Sequence, residues 1–133
     1  MKNFICTFCV LLLISFSGCS DGKLVLKGKV TFDGNPVDRG SITFMPINGA
    51  GPTDGCDITK GAYSLTLVPG NYKVSITGYE VIETRIIPKD EPGAGQEEEV
   101  TKQYIPAKYN AKSTLTLDLK ESNTALDYEL TSN

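Results

Sequence analysis

From Leu24 to Leu130 apolar residues keep returning at every second position, and that period constrains the fold more than any other feature of the chain. Leu24–Phe32, Ser41–Met45, Ala62–Val68, Tyr72–Thr77, Thr114–Leu119 and Leu126–Leu130 all alternate, with Thr, Val, Ile, Leu and Tyr recurring in them. Successive side chains of an extended strand point to opposite faces, so such a segment has one face for a core and one for water. A shorter strand, Cys56–Thr59, is expected to pair across Lys60-Gly61, and Leu126–Leu130 to pair with Thr114–Leu119 across residues 120–124. Asp33-Gly34-Asn35-Pro36 and Pro69-Gly70-Asn71 supply turn chemistry, Gly and Asn for positive φ and Pro for a preset φ. The pattern predicts an all-β fold, a single antiparallel β-sandwich of about seven strands with no helix. The inward set is Val30, Phe32, Ile42, Phe44, Tyr63, Leu65, Leu67, Tyr72, Val74, Ile76, Leu115, Leu117, Leu119, Leu126, Tyr128 and Leu130. Two sheets with such faces cover one another and share one core.

One stretch breaks the rhythm. Residues 88–112 show no period and contain Pro92-Gly93-Ala94-Gly95 and the acidic run Glu97-Glu98-Glu99. They read as one long loop, of a length that is usually functional or disordered. Its second half carries Tyr104, Ile105 and Tyr109 and is expected to dock on the sandwich; its first half is expected to remain in solvent.

Ahead of the strands the chain has a different character. Lys2 is followed by an uncharged stretch from Phe4 to Ser17, then Gly18-Cys19. A basic start, a short apolar stretch and small residues at its end define a secretory signal peptide. The stretch is shorter than the ~20 apolar residues that span a bilayer. Ser17-Gly18-Cys19 resembles the bacterial lipobox, although Phe16 stands where Leu is usual. The resemblance implies cleavage before Cys19 and lipidation of its thiol. The expected domains are residues 1–18 as a lipoprotein signal peptide, 19–23 as a tether and 24–133 as the sandwich. Export with anchoring to the cell membrane or outer membrane, on its periplasmic or surface face, follows.

Without residues 1–18, 115 of the 133 residues remain (133 − 18), enough for one domain with a real core. Removing Lys2 takes the net charge from −3 to −4 (−3 − 1), with no basic cluster for nucleic acid. Nor is there a polybasic patch for a membrane, so the lipid alone would hold the chain there. Cys56 is then the single cysteine left beside Cys19, so no internal disulfide forms. The chain has no His, hence no imidazole base, no Ser-His or Cys-His pair and no His-bound zinc.

Gly28–Val37 followed by Gly40–Pro46 resembles the opening hairpin of carboxypeptidase-regulatory-like domains, which belong to the transthyretin-like sandwiches. Gly61-Ala62-Tyr63 leading to Pro69-Gly70-Asn71-Tyr72-Lys73-Val74 looks like their core hairpin, and Ile105-Pro106-Ala107-Lys108-Tyr109-Asn110 resembles the closing portion seen in small bacterial lipoproteins of this kind. The resemblance spans nearly all of residues 26–131 and implies a transthyretin-like accessory or adhesion module. Pilin-type relatives form an isopeptide crosslink with a buried Glu on the strand after the Pro-Gly motif. Ile76 stands at that place, so no crosslink is expected.

Other chemistry is weakly signalled. Asp54-Gly55-Cys56-Asp57 lacks the ligand count and spacing of a calcium loop. Cys56 has no cationic neighbour but Lys60, and Lys108-Tyr109 is a two-residue motif suited to packing. The chain is therefore expected to be no enzyme, with no catalytic, cofactor-binding or metal-binding residues and Cys19 as its lipidation site. The expected role is structural or protein recognition at the envelope, the partners being the membrane through the N-terminal lipid and an unknown envelope protein or glycan. The alternative is a carbohydrate-binding accessory module, for which Tyr79, Tyr104 and Tyr109 are the available stacking surfaces.

Overall fold

A computed structural model describes residues 22–49 and 51–133. The signal segment and Cys19 therefore lie outside the described residues. The strands are β1 (Leu24–Phe32), β2 (Asn35–Pro36), β3 (Arg39–Pro46), β4 (Asp54–Thr59), β5 (Ala62–Leu67), β6 (Gly70–Ile86), β7 (Glu97–Gln103), β8 (Thr116–Leu119) and β9 (Tyr128–Leu130). One short 3-10 turn, Ala107–Tyr109, interrupts the series, and there is no α-helix among the described residues.

The strands form an all-β sandwich made by one sheet curling over itself. Its order is β2-β1-β5-β4-β3-β6-β7, with β8 on β6 and β9 on β1. The fold-over lies at β4–β5, which share a single pairing, Thr59 with Ala62. On one side of it β5 runs along β1; on the other β4, β3, β6 and β8 form the second layer. Both tight hairpins use two consecutive positive-φ residues, Asp33-Gly34 (48° and 82°) and Lys60-Gly61 (50° and 78°). This conformation matches the twist of the flanking strands and needs a glycine in its second place. Gly70 and Asn71, expected to use positive φ, instead begin β6 as ordinary strand residues.

Every residue of the inward set lies in one apolar cluster between the layers. Leu26, Val37, Ile58 and Ile105 complete it. Val37 follows a turn and Ile58 sits in a short strand, so neither has an alternating run to reveal it.

Three further expectations are corrected. The closing strands β8 and β9 do not pair with each other: β8 pairs antiparallel with β6, and β9 pairs parallel with β1. The last strand thus departs from the antiparallel rule, because residues 120–127 cross from one layer to the other. Second, β5 and β6 are not a hairpin. Val68-Pro69 carries the chain between layers, so each pairs elsewhere.

Third, residues 88–112 are not one loop. β6 continues past Thr77 to Ile86, and β7 returns along it from Ile86↔Glu97 to Tyr79↔Gln103. The chain then keeps to the same edge of β6. Tyr104 N–H donates to Gly78 O, the Asn110 amide to Ile76 O, the Ser113 hydroxyl to Val74 O, and β8 follows. The docking half behaves as expected, with Ile105 buried and Tyr109 half-buried. The unpaired remainder is residues 87–96, closed by Ile87 N–H to Gln96 O and Gly95 N–H to Ile87 O.

The result is a body with an arm. Beyond Gly78, β6 leaves β3 behind, and β6–β7 stands out as a two-stranded ribbon. The ribbon rises from the end of the body where Phe32, the last residue of β1, packs edge-on against Tyr104, centroids 5.6 Å apart. Leu24, the first residue of β1, pairs with Leu67 at the opposite end.

Candidate functional site: the β6–β7 ribbon

The ribbon's two faces differ because of one inserted residue. Paired residues of an antiparallel ladder share a face. Tyr79↔Gln103 and Val81↔Thr101 are followed, after a register shift between Val81 and Glu83, by Glu83↔Val100, Thr84↔Glu99, Arg85↔Glu98 and Ile86↔Glu97. Such a bulge places an extra residue in one strand and resets its alternation. Tyr79, Val81, Thr84 and Ile86 consequently share a face with the odd residues of β7, and Glu80, Glu83 and Arg85 with the even ones.

The second face carries charge: Glu80 lies opposite Lys102, the Arg85 guanidinium meets the Glu98 carboxylate at 2.7 Å, and Glu83 lies opposite Val100. The first carries apolar side chains into water. Tyr79, Val81 and Ile86 are 40%, 41% and 59% exposed, and the bulge residue Ile82 is 57% exposed. Contiguous exposed apolar surface rimmed by polar groups marks an interaction site. Two ion pairs stiffen the arm, Arg85–Glu98 within it and Arg39–Glu99 between it and the body. All four partners are well exposed, so each pair contributes orientation more than stability.

At the root of the strip Tyr79 borders a hollow of about 520 Å³ lined by Arg39, Ser41, Asp57, Thr59 and Thr101. Ser41 and Thr77 share a hydroxyl hydrogen bond of 2.8 Å beneath it. A larger hollow, about 660 Å³, lies over β1 and β5 and is lined in part by Lys27, Lys29, Asp57 and Asp127. There Asp127 accepts from the Lys29 N–H at 2.7 Å and is already engaged.

The residues singled out from sequence fall as follows. Tyr79 is free. Tyr104 is half-buried against Phe32, and burial raises its phenol pKa. The Tyr109 hydroxyl accepts from Thr131 N–H at 3.0 Å, and the Lys108 ammonium lies 5.0 Å from the Tyr109 ring centre, so that pair is used in packing the C-terminus. Cys56 is half-buried in β4, and desolvation raises its thiol pKa, which disfavours the nucleophilic thiolate. Asp54 opens β4, where its carboxylate accepts from the Gly55 N–H at 2.9 Å. No group of three His, Cys, Asp or Glu able to hold a metal occurs among the described residues. Ile76 is fully buried at the position considered for a crosslinking Glu.

Sequence reasoning missed the strip and two fastening residues. The Asn110 amide donates to Ile105 O and Pro106 O, both at 3.1 Å, besides Ile76 O, and Ser113 is the buried polar residue of the core. An Asn and a Ser closing a Pro-containing turn gave the signal, but their acceptors lie on β6 and are remote in sequence.

No family model and no curated protein matches this chain. Among solved structures it is similar to a candidate adhesin from Bacteroides ovatus, with 14% identity, a TM-score of 0.42, and coverage of 83% of this chain and 43% of that one. It is also similar to a 9R-lipoxygenase from Cyanothece, with 8% identity and a TM-score of 0.34, covering 84% of this chain and 16% of that one. The chain spans less than half the length of either, and likenesses of this depth carry no function across.

Proposed function

We propose that this protein is an exported lipoprotein, anchored at Cys19 and carrying a carboxypeptidase-regulatory-like, transthyretin-like domain, and that it recognises an envelope protein through the ribbon. The observation that carries the recognition reading is the asymmetry of the arm. One face carries Glu80 opposite Lys102 and the Arg85–Glu98 ion pair, while the other keeps Tyr79, Val81 and Ile86 in solvent. Among the described residues no element covers that strip, and leaving such side chains wet is unfavourable by about 25 cal/mol per Å² of apolar surface relative to burial. The role is non-catalytic: binding, with the sandwich as a rigid mount. Crosslinking pull-down from intact envelopes tests it. A Val81→Ser/Ile86→Ser chain is expected to lose the wild-type partner, whereas Glu83→Ser on the other face retains it. Equal capture by both would overturn the assignment.

A second reading is favoured by Tyr79 alone. An exposed aromatic ring beside Arg39, Asp57, Ser41 and Thr101 has the composition of a sugar-stacking platform. A glycan array separates the two, because Tyr79→Ala would abolish glycan binding while Ile86→Ser would not.

A further inference from the structure

The ribbon also has an open backbone edge. Just past β7 the Tyr104 N–H donates to Gly78 O of β6, and just before it Gln96 O accepts from Ile87 N–H, the residue after β6, so the even residues of β7 aim their backbone groups at β6. In an antiparallel ladder the N–H and C=O of one residue point the same way and alternate along the strand. Glu97, Glu99, Thr101 and Gln103 therefore direct theirs outward, where β7 is the last strand of the sheet. An exposed edge is a template for another strand.

A run of three glutamates at an edge would ordinarily repel one. The position of Lys102 changes that. From the edge and its charges we infer that β7 pairs antiparallel with β7 of a second copy of this chain, about a two-fold axis through Val100. In this register Glu98 lies opposite Lys102 of the second copy, Glu97 opposite Gln103, Glu99 opposite Thr101, and Val100 opposite itself. No carboxylate faces a carboxylate. Within each ribbon Glu80 faces Lys102 and Arg85 faces Glu98. The joined sheet thus carries rows reading Glu80, Lys102, then Glu98 and Arg85 of the second copy, with signs alternating throughout. Opposite charges directly across a ladder stabilise it and like charges destabilise it.

Neighbouring registers lose this. Centring the axis on Glu99 sets Glu99 against itself, and centring it on Thr101 removes Lys102 from Glu98. A parallel in-register pairing opposes all three glutamates. Backbone polarity agrees with the choice, since the outward residues meet each other and the even ones form the close pairs that do not exchange hydrogen bonds. The contact uses the edge and leaves the apolar strip open, so it holds whatever the strip binds. It also sets two strips side by side in one four-stranded surface.

Disulfide trapping reads the register directly. The full chain in detergent, with Cys6→Ser, Cys9→Ser, Cys19→Ser and Cys56→Ser, has no native thiol to interfere. Opposed residues of a close pair lie about 4.5 Å apart at Cα, within the range a disulfide bridges. Val100→Cys is expected to give a covalent dimer on mild oxidation. A mixture of Glu98→Cys and Lys102→Cys chains is expected to bridge at least about tenfold more than either alone. Adding Thr101→Pro to Val100→Cys removes an outward N–H while sparing every bond to β6, and is expected to abolish the dimer. Lys102→Glu, the milder variant should proline disturb the ribbon, is expected to weaken bridging about tenfold. The inference is overturned if Val100→Cys stays monomeric, or if it bridges equally with Lys102→Glu in place.

Discussion

Gly28 leaves no room for a methyl group. A Cβ there would lie 1.8 Å from Leu126 O and 2.5 Å from Leu126 C, because residue 126 crosses directly over β1 on its way to β9. Leu126 N–H donates to Lys27 O and Leu126 O accepts from the Tyr63 hydroxyl, so this backbone cannot retreat without breaking both bonds. Gly28→Ala is expected to destabilise by about 2–4 kcal/mol, within the range of overpacking plus lost hydrogen bonds, measured by urea unfolding. A loss below ~0.5 kcal/mol would show that the crossing gives way freely. Tyr63, buried at this contact, and the half-buried Tyr128 should make the protein alkali-sensitive. Desolvation raises the phenol pKa of Tyr63, and desolvation pushes that of Tyr128 up to about 12. Both hold their protons harder folded than unfolded, where a tyrosine ionises near ~10. Their contribution is full below pH ~10 and is lost as pH rises from ~10 towards ~12. Phenolate absorbance should rise in two stages, with the last tyrosines ionising together with loss of circular dichroism. A single smooth titration of all six tyrosines before unfolding would contradict this.

At the scale of elements, the body was legible in the sequence and the arm was not. β1 was readable to the residue from Leu24 to Phe32, because a strand with one buried face must alternate. The ribbon buries neither face, so hydrophobic periodicity had nothing to report in Glu97–Gln103, and the bulge at Val81-Ile82 broke the alternation of β6 just where it leaves the body. The partnership of β8 with β6 and the parallel placement of β9 are set by packing between layers, which no local pattern encodes. The candidate site was hidden for the same reason: Tyr79 could be singled out as an aromatic, but its strip exists only through the register with β7. This division yields a prediction. Replacing residues 88–95 by Asn-Gly, which suits a two-residue hairpin, should leave the melting temperature within a few degrees, since the tip buries no core residue. Ile105→Ser should cost several kcal/mol, because Ile105 is 2% exposed within the core. If the tip replacement unfolds the domain and Ile105→Ser does not, the boundary between arm and body is misplaced.

Over the whole molecule the proposed reading gives the two ends different uses. β1 and β6 both start at the end where Leu24 pairs with Leu67 and Gly70 with Leu119, and both run towards the end that carries the ribbon. β6, at 17 residues and about 3.3 Å each, spans roughly 55 Å, so the strip begins about 30 Å from that starting end. On the proposed reading Cys19 is five residues before Leu24, and five extended residues reach at most about 18 Å. A lipid at Cys19 would therefore hold the Leu24 end against the bilayer and aim the ribbon outwards, clear of the headgroups. A fluorophore attached by a Lys23→Cys substitution should then be quenched by a headgroup-linked quencher, and one at Glu91→Cys should not, in vesicles carrying the lipidated chain. Cys19→Ala should abolish incorporation of a fatty-acid probe and release the chain from the vesicles. Continued incorporation after Cys19→Ala would refute the anchor, whereas equal quenching at both sites would leave the anchor standing and refute the outward ribbon.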